Sequence, residues 1–291
     1  MNNRIENGKG FVELQSVFGS DREIAEAARV SLGNETREYS EDRDRRLIRY
    51  LLRHRHTSPF EMAEVKLMIQ CPIYVWRQWV RHRTASINEI SGRYTEVEDN
   101  VDLFREGDWR KTDPDIKQGS SQERLQPETG RALMLTFARA ADRCFEAYKT
   151  ALDSSVCKEQ ARTILPLAAY TRAIWKIDLH NLMHFLHLRL APNAQEETRK
   201  YAQAVLDLVR PHFPMTFEAW EDYIRGSMTF SSLELFTLNE LLNRHELPWE
   251  AEEVREKWYD RDGNKIDPET ADGEREEFIE KLKQRTWIWV D

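Results

Sequence analysis

Two segments of the sequence alternate side chains of opposite character at every second residue, and this pattern constrains the fold most. In EVKLMIQC, residues 64–71, the apolar residues Val65, Leu67 and Ile69 alternate with polar or longer ones. The segment AAYTRAIWKI, residues 168–177, alternates in a similar way. Successive side chains of a strand point to opposite faces of a sheet, so this period is typical of half-buried strands. The chain is therefore predicted to contain a sheet.

Helical spacing of apolar residues surrounds these strands. One predicted helix follows Ser20, where Glu23 completes a capping box, and another starts near Ser40 and ends before Pro59. Four more helices are predicted. The first begins at Pro72, the second covers 133–152, the third covers DLHNLMHFLHLRL at 178–190, and the fourth runs from Gln195 to about Val209. Residues 98–130 have no apolar period and are interpreted mainly as loop. Helices mixed with a few strands indicate the α+β class.

Charge and composition exclude several classes of protein. The 291 residues carry a formal net charge of -8, so basic clusters are local sites rather than parts of a surface that grips nucleic acid or anionic membrane. Apolar stretches are interrupted by Arg, Lys or His before the roughly twenty residues that a membrane span needs. The three cysteines are far apart and odd in number. We expect a cytoplasmic protein without disulfides, membrane or nucleic-acid partners.

One segment concentrates chemistry suited to a nucleotide. RHRTASINEISGRY, residues 81–94 and here called the RHR segment, has Arg81 and Arg83 at its start and Ser91, Gly92 and Arg93 near its end. Arginine forks, hydroxyls and the backbone N–H groups around a glycine all donate to phosphate. Glu89, between the two clusters, can accept hydrogen bonds from a ribose hydroxyl or a ring N–H. The residues alone favour nucleotide binding.

The structural alternative is that such arginines form a solvated face and pair with the abundant carboxylates. For the second predicted helix this alternative is favoured, since its arginines lie close to Glu41 and Asp42. Those arginines are Arg43, Arg45, Arg46 and Arg49. In the RHR segment, the density of donors and the flanking aromatic residues favour a binding site instead.

The RHR segment resembles the R-H-R-x-x-S-x-N-E-x-S-x-R signature of the flavin-dependent thymidylate synthases, and every fixed position is matched. HRHTSPFE at 54–61 is similar to the family's His-x-[Ser/Thr]-Pro-Phe-Glu segment. ARTILPLAAYTRAIWKIDLHNLMHFLHLRL and the following NAQEETRKYA resemble its second conserved region. The matching segments run in order from about Phe11 to Arg225.

The resemblance implies a fold, a reaction and an assembly. The fold would be α+β, with helices packed around a mixed, mainly antiparallel sheet. Residues 1–225 would form a single catalytic domain, and 226–291 would be an appended segment without a family counterpart. FAD and dUMP would bind side by side at a subunit junction of a homotetramer. NADPH would reduce the flavin, methylenetetrahydrofolate would supply one carbon, and dTMP would form without a cysteine nucleophile.

The resemblance also implies residue roles. Arg189 would be catalytic, lying against the pyrimidine ring and favouring its ionised form. Substrate would contact Gln78, Trp79, Arg81, Glu89, Ile90, Ser91, Gly92, Arg93, Arg162 and Arg189. FAD would contact His56, Ser58, Arg81, His82, Arg83, Glu89, Asp178, Leu179, His180 and His184. No metal is implied.

Two departures from the family pattern concern folate or fine substrate contacts. Met62 and Asn193 stand where the family often has histidine. None of the three cysteines has an evident activating partner, which agrees with a reaction that does not use a thiolate. Cys144 in particular lies on the apolar face of a predicted helix.

Two other functions are possible from the residues. His180, His184 and His187 recur at i, i+4 and i+7, so one helix face could offer imidazoles to a metal. No nearby Asp, Glu or Cys completes such a site. The segments RDRRLIRYLLRHRH and WRQWVRHR interleave basic and aromatic residues, as nucleic-acid binders do. The net acidity of the chain and Glu89 within the basic cluster weaken that interpretation.

Overall fold

A five-stranded sheet is the centre of the molecule, seen in a computed structural model that describes residues 2–5, 9–31, 33, 40–114, 120–244, 259, 263, 265 and 272–284. Its strand order is β1-β2-β3-β7-β4, and each pair is antiparallel. A separate hairpin joins β5 to β6. The strands are β1 (Asn2–Arg4), β2 (Phe11–Phe18), β3 (Glu64–Pro72), β4 (Ser86–Glu89), β5 (Arg110–Thr112), β6 (Ser120–Arg124) and β7 (Tyr170–Asp178).

Helices follow and surround these strands, and the expected α+β class is confirmed. The chain divides into two compact units, Met1–Arg225 and Gly226–Asp291. The helices of the first unit are α1 (Asp21–Val30), α2 (Glu41–Arg53), α3 (Ile73–Trp79), α4 (Pro127–Asp153), α5 (Lys158–Ala161), α6 (Leu179–Arg189), α7 (Glu196–Val209) and α8 (Pro214–Trp220). Short 3-10 turns cover Ser58–Met62, Arg162–Ile164 and Arg210–His212.

The two alternating segments form the central strand pair. β3 and β7 run antiparallel over their whole length, from Glu64 opposite Asp178 to Pro72 opposite Tyr170. On one face of β7, Ala173, Trp175 and Ile177 are buried against α3 and α6. Burial of such large apolar side chains is the main stabilising term of the fold. The strand predictions at 64–71 and 168–177 are confirmed, as is the long helix over 133–152.

The prediction of a loop over 98–130 is partly wrong. β5, β6 and the start of α4 at Pro127 lie within it. The two strands are short and mainly exposed, so they carry no apolar alternation that sequence could reveal. α4 packs on a smaller core, where its Phe145 and Tyr148 meet Ala161 and Ala169.

The second unit contains two described helices, α9 (Ser232–Arg244) and α10 (Asp272–Gln284). α9 begins with a capping box, because Ser231 N–H donates to Glu234 Oε2 at 2.7 Å and Glu234 N–H donates to Ser231 Oγ at 3.3 Å. In α10, Ile279 is fully buried. No helix in the described ranges is long and apolar enough to cross a membrane.

Candidate active site

The RHR segment begins at the end of a helix and ends beside the sheet. α3 stops at Trp79, the chain turns with His82 N–H donating to the Trp79 carbonyl at 3.0 Å, and β4 follows at Ser86. β4 pairs with β7, where Glu89 lies opposite Ala173 and Ile90 N–H donates to the Arg172 carbonyl at 2.8 Å. The sheet edge therefore holds the middle of the RHR segment.

A cavity of about 220 Å³ adjoins this edge. Four residues predicted to bind substrate line it, namely Glu89, Ile90, Gly92 and Arg162. Sequence reasoning did not assign the other polar residues of its wall. These include Gln70, Asn100, Tyr170, Thr171 and Arg172.

Gly92 and Arg162 approach each other closely within the cavity wall. A Cβ atom at Gly92 would lie 3.2 Å from Arg162 Cδ and 3.3 Å from Val97 Cγ2. Only a residue without a side chain fits here without displacing its neighbours. Two segments that are distant in sequence thus bring an arginine against a glycine backbone, as a phosphate site requires.

Four of the five predicted arginines have no carboxylate partner among the described residues. Within the part of the chain that the structure describes, Arg81, Arg83, Arg162 and Arg189 form no salt bridge. Their charges are therefore available to an anionic ligand. Arg93 differs, because its Nη2 lies 3.0 Å from Glu159 Oε2.

Two of the four arginines of α2 pair with carboxylates. Arg45 pairs with Glu41 at 3.2 Å, as expected for one turn of helix. Arg45 also contacts Glu218 of α8, and Arg49 lies 2.7 Å from Asp222 just after that helix. Arg45 and Arg49 therefore tie α2 to the end of α8, whereas Arg43 and Arg46 form no salt bridge in the described ranges.

A second group of predicted residues lies where α3 and α6 end. Arg189 Nη2 donates to the Gln78 carbonyl at 2.7 Å. Its Nε is buried and has no hydrogen-bond partner among the described residues. Burial lowers the pKa of Arg189 because the charged form loses water. A desolvated guanidinium with an unused donor is suited to stabilise an anion.

His82 and His184 lie beside this arginine group. Their ring centroids are 5.5 Å apart, and His82 Nε2 lies 3.1 Å from Thr84 Oγ1. Burial, and then the charges of His184 and Arg189, lower the pKa of His82. Burial also lowers the pKa of His184, and neighbouring histidines add to the effect. Both rings are therefore neutral near pH 7.

A row of buried aromatic rings lies between Glu89 of the cavity and the group around Arg189 and His82. It consists of Trp76, Trp79 and Phe185, with centroid separations of 6.1 Å and 4.6 Å along the row. Phe185 then contacts the His82 ring at 5.7 Å. Trp79, expected on the nucleotide side, is fully buried in this row and packs edge-on against Trp175.

Glu89 is held by two donors at the start of this row. The Trp76 indole Nε1 donates to Glu89 Oε2 at 2.8 Å, and the Thr171 hydroxyl donates to Oε1 at 2.5 Å. Sequence reasoning missed both contacts. Trp76 and Thr171 lie within apolar-patterned elements, and no local signal indicates which polar atom they meet.

Several predicted flavin contacts have local roles in this chain. Asp178 caps α6, because it accepts from Asn181 N–H at 2.9 Å and from Asn181 Nδ2 at 2.7 Å. Leu179 is buried, and its N–H donates to the Ala63 carbonyl at 2.8 Å. Asp178 and Leu179 therefore orient α6 and its histidines.

The remaining predicted positions are accessible. His56 is exposed after α2, with its ring 5.7 Å from that of Tyr50, and Ser58 opens the next 3-10 turn. Met62 and Asn193, the departures from the family pattern, are exposed as well. Ser91 Oγ accepts a long hydrogen bond, 3.3 Å, from Arg93 N–H.

Neither a thiolate nor a metal cluster is evident in the site. Cys71 is buried near Glu89, and burial together with that charge raises the pKa of its thiol well above the usual value. Cys144 is half-buried and Cys157 is exposed, with neither lining the cavity. The described residues contain no group of three His, Cys, Asp or Glu side chains that could hold a metal ion.

Comparison with known proteins gives consistent results. A family model described as thymidylate synthase complementing protein matches residues 13–215. A flavin-dependent thymidylate synthase from Thermus thermophilus is 45% identical over 234 residues, which cover 80% of this chain and 84% of the relative. One from Wolbachia pipientis is 39% identical over 233 residues, covering 80% and 81%.

A solved structure also resembles this chain. It is a UMP/dUMP methylase, PolB from Streptomyces cacaoi bound with 5-Br dUMP, with a TM-score of 0.67 and 32% identity. The match covers 74% of this chain and 95% of that one.

Proposed function

This chain belongs to the flavin-dependent thymidylate synthase family, and we propose that it catalyses the reductive methylation of dUMP to dTMP. When bound, FAD supplies hydride that originates from NADPH, and methylenetetrahydrofolate supplies the carbon. The observation that carries the proposal is the cavity that joins Glu89, Ile90 and Gly92 to Arg162. The resemblance assigns these residues to the nucleotide, and Arg162 meets the other three only through tertiary folding.

The cavity residues suit a nucleoside monophosphate. Arg162, with no salt bridge in the described ranges, lies against Gly92, so its guanidinium and the nearby backbone N–H groups and Ser91 hydroxyl form a donor set for phosphate. Glu89 offers acceptors for a ribose hydroxyl or a ring N–H. The donors of Arg162 and the acceptors of Glu89 would together orient the nucleotide.

Arg189 is proposed as the catalytic residue. Its buried guanidinium has one donor fixed on the Gln78 carbonyl and Nε unused within the described chain. A preorganised donor of this kind stabilises negative charge that develops on the pyrimidine ring, by about 3 kcal/mol for one strong contact. Because the donor is already desolvated, little reorganisation is needed when the charge appears.

A second set of residues is suited to hold FAD. Arg81 and Arg83 are exposed cations without salt bridges in the described ranges, which match the two negative charges of a diphosphate. The neutral rings of His82 and His184 offer hydrogen bonds to the flavin without adding charge. His56, Ser58 and His180 are proposed to complete the flavin contacts, with Asp178 and Leu179 orienting the helix that carries the histidines.

We propose further that the protein is a cytoplasmic homotetramer with each site at a subunit junction. Support comes from apolar side chains that are exposed in the site itself, including Ile87, Ile90 and Tyr94 of the RHR segment. Leu135 and Phe137 of α4 are also exposed. Met1–Arg225 would carry the catalytic residues, since the family match ends within it. The role of the unit Gly226–Asp291 is not assigned.

An absorbance experiment tests the proposal. Purified protein should have flavin bands that bleach with NADPH under anaerobic conditions, at a rate that dUMP changes, and should form dTMP when methylenetetrahydrofolate is added. The variant Arg162→Ala should lose dUMP binding. A matched control, Arg22→Ala, removes an exposed arginine that pairs with Glu26 on the same helix, and it should behave as wild type.

Three outcomes would overturn the proposal. A colourless protein that fails to take up FAD and forms no dTMP would do so. Salt-sensitive retention of DNA or RNA, without preference for the mononucleotide, would favour a nucleic-acid binder instead. Loss of turnover on treatment with EDTA would favour a metalloenzyme.

A further inference from the structure

The carboxylate of Glu89 is the most constrained polar group of the cavity. β4 is an edge strand, and the side chain of a glutamate at a sheet edge would ordinarily sample several rotamers. Here each carboxylate oxygen accepts one hydrogen bond from a different element, α3 through Trp76 and β7 through Thr171. The two contacts fix both the position and the plane of the carboxylate.

Both donors are themselves immobile. Trp76 is 3% exposed and stacks on Trp79 with the ring planes 28° apart. Thr171 is 7% exposed and lies in β7, paired with Cys71 of β3. A donor with no rotational freedom holds its acceptor in one orientation at little further entropic cost.

The two donors are also uncharged. An ionised carboxylate has about four acceptor positions, of which Trp76 and Thr171 use two. A cationic partner would neutralise the carboxylate, as Glu159 and Arg93 neutralise each other nearby. Trp76 and Thr171 leave the charge and the remaining lone pairs of Glu89 available to the cavity.

We propose that Trp76 and Thr171 are positioning residues that present Glu89 to the nucleotide as a preformed acceptor. The inference rests on the proposed function, since it requires that a nucleotide occupies the cavity. Trp76 does not line the cavity, and Thr171, which lies in its wall, is proposed to act through the hydrogen bond to Glu89. Substitution of Trp76 or Thr171 should weaken nucleotide binding by releasing Glu89, and the protein should still fold.

Conservative substitutions separate this role from core packing. Trp76→Phe keeps an aromatic ring and removes the N–H, and Thr171→Val keeps the shape and removes the hydroxyl. Matched controls are Trp175→Phe and Thr198→Val. Trp175 and Thr198 are fully buried, and their Nε1 and Oγ1 have no hydrogen-bond partner in the described chain. Trp76→Phe and Trp175→Phe remove the same atoms, and so do Thr171→Val and Thr198→Val. Only Trp76 and Thr171 contact Glu89.

The measurements are dUMP affinity of the FAD-bound protein by titration, KM and kcat for dUMP, and thermal unfolding. Each Glu89-contacting variant is expected to weaken dUMP affinity and raise KM about tenfold, the effect of losing one hydrogen bond to a charged group. kcat should change less than KM. The control variants should bind dUMP within about twofold of wild type, since they lose no hydrogen bond. Thr171→Ser, which keeps the hydroxyl, should restore affinity.

A double-mutant cycle completes the test. In a Glu89→Gln background, Trp76→Phe and Thr171→Val should have little further effect on dUMP affinity, because their action passes through the carboxylate. Effects that add in full to those of Glu89→Gln would overturn the inference. So would variants that bind dUMP as the controls do. A wild-type protein that binds no flavin and no dUMP would instead overturn the proposed function.

Discussion

Two non-glycine residues in the described part of the chain hold left-handed backbone conformations, and they give a prediction whose size follows from the geometry. Arg55 has φ 57° after α2, and Ser155 has φ 60° after α4. After α2, His56 N–H donates to the Leu51 carbonyl at 2.8 Å and Arg55 N–H to the Leu52 carbonyl. The same two hydrogen bonds recur around Ser155. Both sites are helix ends at which glycine is the favoured residue.

The expected gain can be worked out from the conformation. A residue with a side chain loses roughly 1–2 kcal/mol in the left-handed region. Glycine avoids this but costs roughly 0.5–1 kcal/mol more in unfolded-chain entropy. Arg55→Gly and Ser155→Gly should therefore each raise the free energy of unfolding by about 0.5–1 kcal/mol. For a unit of this size, that corresponds to a Tm increase of roughly 1–4 °C.

Thermal and urea unfolding of the single and double variants measure this effect. The two sites are in different helices, so their gains should add. Arg139→Gly is the matched control, because it makes the same change inside α4, where the backbone is helical, and should cost about 1 kcal/mol. Variants that are no more stable than wild type at both sites would refute the reasoning.

Only one of the two sites adjoins a residue predicted to bind flavin. Arg55 directly precedes His56, a predicted flavin contact, whereas Ser155 adjoins no predicted site residue. Both glycine variants should retain flavin if only backbone geometry matters at Arg55. A stabilised Arg55→Gly protein that loses flavin would indicate that the arginine side chain is kept for binding at the expense of stability.

Four further predictions concern single residues. Arg189→Lys should retain flavin but lose about 100-fold in kcat, measured as dTMP formation, because Nε and the planar fork are lost. Gly92→Ala should raise the KM for dUMP about tenfold or more, because its Cβ would displace Arg162, and Kd for dUMP should rise in parallel. Asp21→Asn should cost about 2–3 kcal/mol in urea unfolding, because an amide NH2 in place of the buried Oδ2 cannot accept from the Met215 N–H. Burial lowers the pKa of His82 from the ordinary 6.5, so below this pH the folded protein binds fewer protons than the unfolded chain. The contribution of His82 to the free energy of unfolding is therefore full above pH 6.5 and declines as the pH falls below it. Unfolding measured between pH 8 and pH 5 should follow this decline, and His82→Gln should flatten it.

The sequence predicts those elements whose residues carry a periodic pattern. β3, β7 and α4 have strong alternation or helical spacing, and each forms as expected. β5 and β6 do not, because short exposed strands are stabilised by pairing with each other rather than by a buried face. β4 was interpreted only as a binding motif, yet it is also the edge of the sheet.

The site was predictable to the extent that its chemistry is local. The arginines, Glu89 and the glycine of the RHR segment are contiguous, and their residue types indicate a nucleotide. The partners of Glu89 depend on how α3 and β7 pack, which no local pattern encodes. The same holds for Asp178, whose role as a cap follows from where α6 begins.

The aromatic row has an optical consequence. Trp79 of this row has two indole neighbours, Trp76 at a centroid separation of 6.1 Å and Trp175 at 5.2 Å. Excitation absorbed by one indole passes readily to its neighbours at such separations, and oxidised flavin absorbs in the range where indoles emit. Since Trp76 bonds Glu89 at one end and Phe185 meets His82 at the other, both halves of the site lie beside the same emitters. The intrinsic fluorescence of the protein can therefore serve as a label-free signal for occupancy of either half.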